Sequence, residues 1–135
     1  MLKFHEIKIG DYLMAENEGD IRKGEVTNLN RNEHQVCLDT GVQEFWFETD
    51  QLTGIPLSDD ELAKLQFLHE TNEDGTVKYK KGAFRLQLSK AGDFTTMEIW
   101  YRDERRHITH ALMVHELQNH YHDMTKVHLT DEVFA

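Results

Sequence analysis

Between Ile7 and Glu48 the chain is a series of short runs of about four to seven residues, each cut off by Gly, Asn or Asp. Ile7 and Ile9 alternate, and Gly10-Asp11 turns the chain into Tyr12-Leu13-Met14. A polar turn, ENEGD, separates that run from KGEVTNLN, which carries Val26 and Leu29. RNEH turns again into QVCLD, and Thr40-Gly41 leads into VQEFWFE. Such spacing leaves no room for a helix and predicts a β-meander. A meander of this size is expected to close as a small SH3-like β-barrel, here assigned to residues 1–57.

The segment GIPLSDDELAKLQF ends that pattern. Pro56, the single proline, holds Ile55 extended and delays any helix. Ser58 followed by Glu61 forms a capping box, and Asp59, Asp60 and Glu61 suit the positive end of a helix dipole. Leu62 and Leu65, with Phe67 or Leu68, supply the buried stripe of a helix linking the two halves.

Residues 58–135 are expected to form this helix, a β-hairpin or three-stranded sheet, and a C-terminal helix packed on it, giving an α+β chain. HETNEDGTVKYKKG reads as a polar loop. AFRLQLS places Phe84, Leu86 and Leu88 on one face and Arg85 and Gln87 on the other. FTTMEIWYR turns Met97, Ile99 and Tyr101 inward, and DERR reads as a charged turn. A third strand or lead-in near Ile108 precedes a helix to about Met124, with a stripe of Met113, Val114, Leu117, Tyr121 and Met124.

Net charge is −10, which disfavours binding double-stranded nucleic acid through phosphate contacts, since that needs surplus Lys and Arg. One cysteine, Cys37, excludes an internal disulfide and suits a cytoplasmic location. The start, MLKFHEIKIG, has no signal-peptide core, and no apolar run reaches the ~20 residues of a membrane span, so no membrane partner is expected.

The stretch VHELQNHYH opens like a zinc-protease helix. That motif needs histidines four apart, on one face. Here Asn119 holds that place, and His120 is five along, rotated by about 140°. His115 and His122 share a face but stand roughly 10 Å apart along the axis, too far to ligate one zinc. His107 or His110 with one helix histidine leaves a metal-binding or metal-dependent enzyme as an alternative, although no cofactor and no metal site is expected. The loop from Glu70 resembles a calcium loop, but Lys81 stands where the bidentate Glu belongs. Phosphate-binding glycine loops and a nucleophile elbow are absent, and the only serines are Ser58 and Ser89. Cys37 near His34 reads as a strand cysteine rather than a nucleophile. No catalytic constellation is complete, so the chain reads as non-enzymatic.

Trp46 lies in register with Glu44 and Glu48, and Trp100 with Glu98 and Arg102. Outward tryptophans mark interaction surfaces when nothing covers them, so both are candidate binding residues. His115, Gln118 and Asn119 form a polar strip beside the stripe of the last helix. They are expected to lock that helix in place and are the remaining binding candidates.

Three stretches carry a resemblance: Ile9-Gly10-Asp11-Tyr12, Ile55-Pro56-Leu57-Ser58 with Leu62 and Phe67, and Val114-His115-Glu116-Leu117-Gln118-Asn119-His120-Tyr121. Together the chain resembles an uncharacterised small phage- and prophage-type protein family of Bacteroidetes, marked by IPL-[ST]-x-x-x-L and VHxLQNxY motifs. It departs from that pattern at Gln66, where glycine is usual, and at His120 and His122, where apolar residues are commoner. The resemblance implies genomic context rather than chemistry. The expectation is an accessory protein of phage type that binds another macromolecule, a protein first. The alternatives are the metal-dependent protein above and an acidic nucleic-acid mimic or modulator.

Overall fold

The computed structural model describes residues 2–129. The chain divides into two compact units, Met1–Ile55 and Pro56–Ala135. Both are built on antiparallel sheets, and the class is α+β with one main helix.

In the first unit β1 is Tyr12–Asn17, β2 Asp20–Asn30, β3 Gln35–Asp39, β4 Glu44–Glu48 and β5 Leu52–Gly54, in the order β4-β3-β2-β1-β5. The β1–β2 turn is two residues, with Asn17 opposite Asp20 and both Glu18 and Gly19 at positive φ, the primed geometry that matches strand twist. ENEGD is thus mostly strand, and β2 begins earlier than its apolar residues suggest. Leu13, Ala15, Val26, Val36, Leu38, Phe47 and Leu52 point to one face and, with Ile7, form the core. Each large aliphatic side chain so buried contributes about 1.5–3 kcal/mol.

The expected closed barrel does not form. β5 pairs with β1, β4 lies at the other edge, and no ladder joins β4 to β5. In the short 3-10 turn Thr49–Gln51 between them, Gln51 Oε1 accepts from the Glu48 amide at 2.9 Å and its Nε2 donates to Asn17 Oδ1 of β1 at 3.4 Å. With its bond to Gln51, the Glu48 amide makes no ladder bond to β5.

In the second unit α1 is Asp59–Lys64, β6 Leu68–Thr71, β7 Val77–Lys81, β8 Phe84–Leu88, β9 Met97–Tyr101, β10 Glu104–Ile108 and α2 Val114–Thr125. The sheet is a five-stranded meander, β10-β9-β8-β7-β6, not the expected hairpin or three strands. HETNEDGTVKYKKG contains β6 and β7, whose inward Val77 and Tyr79 alternate with lysines. DERR is not a turn: the turn is Arg102-Asp103, and Glu104, Arg105 and Arg106 already belong to β10. α1 is short; Ser58 Oγ caps it by accepting from the Glu61 amide at 3.2 Å. Leu62, Leu65 and Phe67 are buried, whereas Leu68 is exposed on β6.

The inner face of the second sheet carries Val77, Tyr79, Phe84, Leu86, Leu88, Met97 and Ile99. Val114, Leu117 and Tyr121 of α2 are buried against this side, the Tyr121 and Phe84 ring centroids being 4.9 Å apart. Phe67 meets Phe84 edge-on at 6.1 Å. Every apolar side chain of β8 therefore faces the helices, which leaves the opposite face of that strand to Arg85 and Gln87. Among the described residues no helix is long and apolar enough to cross a membrane.

Candidate functional site

β4 brings together the features that can hold a partner. Phe47 turns into the core of the first unit, so parity sends Glu44, Trp46 and Glu48 to the other face. Trp46 is 47% exposed, and Phe45, at the rim of the core face, is 39% exposed. Val42 in the preceding loop is also exposed. Three exposed apolar side chains within five residues are unusual for one strand end.

The register supplies the floor beside Trp46. A bulge between Val26 and Asn28 shifts β2, so Asn28, Cys37 and Trp46 stand in one row across three strands. Asn28, Leu29, Asn30, Arg31, Asn32 and Trp46 line an open groove of about 600 Å³. Asn28 and Asn30 shape its wall: Asn28 Oδ1 accepts from the Leu29 amide at 2.8 Å, and Asn30 Oδ1 from the Asn32 and Glu33 amides at 3.1 Å. The Asn28 oxygen thus serves its own strand and the Asn30 oxygen the turn, while the carboxamide NH₂ groups are donors the wall can offer.

The backbone of β4 matters as much as its side chains. The Glu48 amide turns away from β3 to reach Gln51. In an antiparallel ladder amides two apart point the same way, so those of Trp46 and Glu44 face the open edge too. β4 is the last strand of its sheet, and its edge bears glutamates at both ends.

Trp100 is differently placed. It lies on the outer face of the second sheet, between Arg85 of β8 and Arg105 of β10 in register. Arg105 Cζ is 5.0 Å from its ring centroid and Lys78 Nζ 5.8 Å, and these cations leave it only half-buried rather than open.

The polar strip of α2 is largely interior. His115, 2% exposed, and Gln118 are buried, and Asn119 is half-buried. A ligand from solvent cannot meet His115 or Gln118 without opening the helix. Glu116, which follows His115 as in a zinc protease, serves the helix start instead: its Oε1 accepts from the Met113 amide at 2.9 Å. The candidates thus fall in three places: Trp46 on the first sheet, Trp100 on the outer face of the second, and His115, Gln118 and Asn119 on the helix at its inner face.

Of the remaining C-terminal histidines, His122 and His128 stack on each other with ring centroids 4.0 Å apart, and the others take separate partners. His107 Nδ1 lies 3.7 Å from Glu98 and His110 Nε2 3.9 Å from Glu116, while His120 Nδ1 receives an Arg106 N–H at 2.8 Å. Burial and the Arg106 charge hold His120 below its usual imidazole range. Among the described residues no three His, Cys, Asp or Glu side chains are grouped as a metal site requires. A cavity of about 110 Å³ at the end of α2 is lined by Lys81, Phe84, Tyr101, Tyr121, Thr125 and Val127 among others. Lys81 Nζ there donates to the carbonyls of Leu65 at 3.0 Å and Leu129 at 3.4 Å, which makes it a tie between chain segments.

The Asn28–Asn32 wall and the β4 edge are the parts sequence reasoning missed. The run of three alternate asparagines was visible, but its position beside Trp46 depends on a bulge. No protein-family model matches the chain, no curated protein matches it, and no solved structure matches it at a significant level.

Proposed function

We propose that the protein is a non-enzymatic binding module, an accessory protein of the phage type its motifs resemble, which engages an extended segment of a partner protein along β4. The observation that carries this is the combination, on one open edge, of outward Glu44 and Trp46 amides with exposed Phe45 and Trp46 on either side. An added strand gains main-chain hydrogen bonds from such an edge, and alternate side chains gain pockets. An SH3-like reading of the first unit is supported by its five strands and by the three-residue turn that joins the two edge strands. Glu44 and Glu48 favour a basic segment, and so does the net charge of −10.

Selection from a random-peptide library, followed by amide-shift mapping, tests this. The selected peptides are expected to be rich in Lys and Arg and to shift the amides of residues 42–48. Trp46→Ala is expected to weaken them by about tenfold or more, the usual effect of truncating an aromatic anchor. Glu44→Pro, which removes one edge donor, acts in the same direction. Peptides that leave the β4 amides unmoved, or that bind Trp46→Ala as well as the original chain, overturn the assignment.

A further inference from the structure

The outer face of the second sheet is a different surface with a different charge. Strand parity places Leu68 and Glu70 of β6, Lys78 and Lys80 of β7, Arg85 and Gln87 of β8, Glu98 and Trp100 of β9, and Arg105 and His107 of β10 on it. Four permanent cations thus surround one tryptophan in a chain whose net charge is −10. Two carboxylates share the face, Glu70 paired with Lys80 at 3.2 Å and Glu98 with Arg105 at 3.1 Å, so four cations against two anions leave it an excess of two positive charges. The face is open to solvent, with the Arg105 side chain 64% exposed.

We propose that this face binds single-stranded nucleic acid. The reading is independent of the β4 edge, which belongs to the other unit. Five strands span about 19 Å, enough for two or three bases on a flat sheet surface. Trp100 offers a ring for stacking and the Arg105 guanidinium a second plane, while Arg85, whose Nη1 donates to the Gly82 and Phe84 carbonyls, adds a fixed positive charge. Arg105 and Lys78 rest against the Trp100 ring and can exchange that contact for a base and its phosphate. Gln87, beside Lys78 in the outer row, can pair with a base edge.

Two observations favour a nucleic acid over an acidic protein segment. The face carries one exposed aliphatic residue, Leu68, at its margin, and so lacks the apolar centre a protein interface needs. Its planar groups also outnumber what charge pairing alone requires. A duplex does not suit a shallow face with four cations, because duplex contact relies on many phosphates and on groove insertion.

The test is fluorescence anisotropy of the full chain with a labelled single strand of about 10 nucleotides, as DNA and as RNA. Binding at low salt is expected, with a log–log salt slope of about −1 to −3, the value for two to four phosphate contacts. The double variant Lys78→Glu/Arg105→Glu is expected to lose binding by at least about a hundredfold while keeping its far-ultraviolet dichroism, and Trp100→Leu by about tenfold. Amide-shift mapping on the original chain provides a readout that needs no variant, with shifts expected on β7 to β10. Absence of binding at low salt overturns the proposal. So do shifts confined to other strands, or binding that survives charge reversal. Polyglutamate that binds as tightly as the oligonucleotide also overturns it, and assigns the face to an acidic protein.

Discussion

Arg106 Nη1 donates to His120 Nδ1 across 2.8 Å, while its Nη2 reaches Asp123 at 2.6 Å. Arginine has no acceptor, so Nδ1 must offer a lone pair and the imidazole is neutral. The contact joins β10 to α2 through a histidine that has to stay unprotonated.

Stability in mild acid should therefore depend on His120. Its folded value is held down by burial first and by Arg106 second, from about 6.5 in the unfolded chain. A depressed value means that the unfolded state takes up protons first. The contribution is fully present above about pH 6.5 and is lost as pH falls through the folded value. Urea unfolding at about pH 7.5 and about pH 5 should show a smaller loss for His120→Gln, whose carbonyl can still accept from Arg106, than for the original chain. Asp123 is held below the usual carboxylate range by Arg106 and titrates at lower pH, outside that window. An equal loss in both proteins would show that His120 does not titrate on unfolding.

Tyr79 anchors α1 to the sheet, its hydroxyl donating to Asp59 Oδ1 at 2.8 Å. Tyr79→Phe keeps the packing of a buried ring and removes only this bond. Because Asp59 is largely solvated, the expected cost is about 1 kcal/mol, measured by urea unfolding at neutral pH. Burial and then Asp59 raise the phenol above its ordinary value. That contribution is present below about pH 10 and is lost as pH rises through the folded value, so Tyr79→Phe should flatten the alkaline limb.

What could be read beforehand follows from which residues signal their surroundings by themselves. Ser58 and Glu61 gave away the start of α1, because a cap is a local bond. Phe84, Leu86 and Leu88 gave away β8 and its inner face, because alternation is local too. β7 was hidden because its alternation is short, with Lys81 standing where a third inward apolar residue would be, and β10 because its inward residue at 106 is an arginine serving α2. The outward direction of Trp46 was legible from Glu44 and Glu48 on the same parity. Its groove was not, since Asn28 reaches the Trp46 row only through a bulge at Thr27. The burial of His115 and Gln118 was equally hidden, because polar letters in a helix do not announce an interior position.

Gly24 makes a prediction about the first sheet. A Cβ there would stand 2.8 Å from the Asp39 carbonyl oxygen and 3.2 Å from Leu38 Cβ. The oxygen belongs to β3 backbone and cannot swing aside. Gly24→Ala should cost about 1–3 kcal/mol, seen as a lower urea midpoint with an unchanged slope. A variant as stable as the original chain would mean that β2 and β3 can separate there without loss.

Cys37 and Trp46 give the last prediction. They face each other across the β3–β4 ladder on the side away from Val36 and Leu38, and Cys37 is only 4% exposed. The large indole is the neighbour best placed to cover the thiol on that side. Trp46→Ala should therefore raise the labelling rate of Cys37 by a water-soluble disulfide reagent by about tenfold or more, whereas Trp46→Phe should raise it less. Global unfolding would expose the thiol as well, so Leu52→Ala serves as the comparison. It removes a buried core side chain at a cost of about 2–5 kcal/mol without touching the outer face. If Trp46→Ala labels fast while its urea midpoint stays near that of the original chain, the exposure is local and the indole is the cover. If labelling in both variants simply follows their stability, the thiol is reached only through the unfolded state.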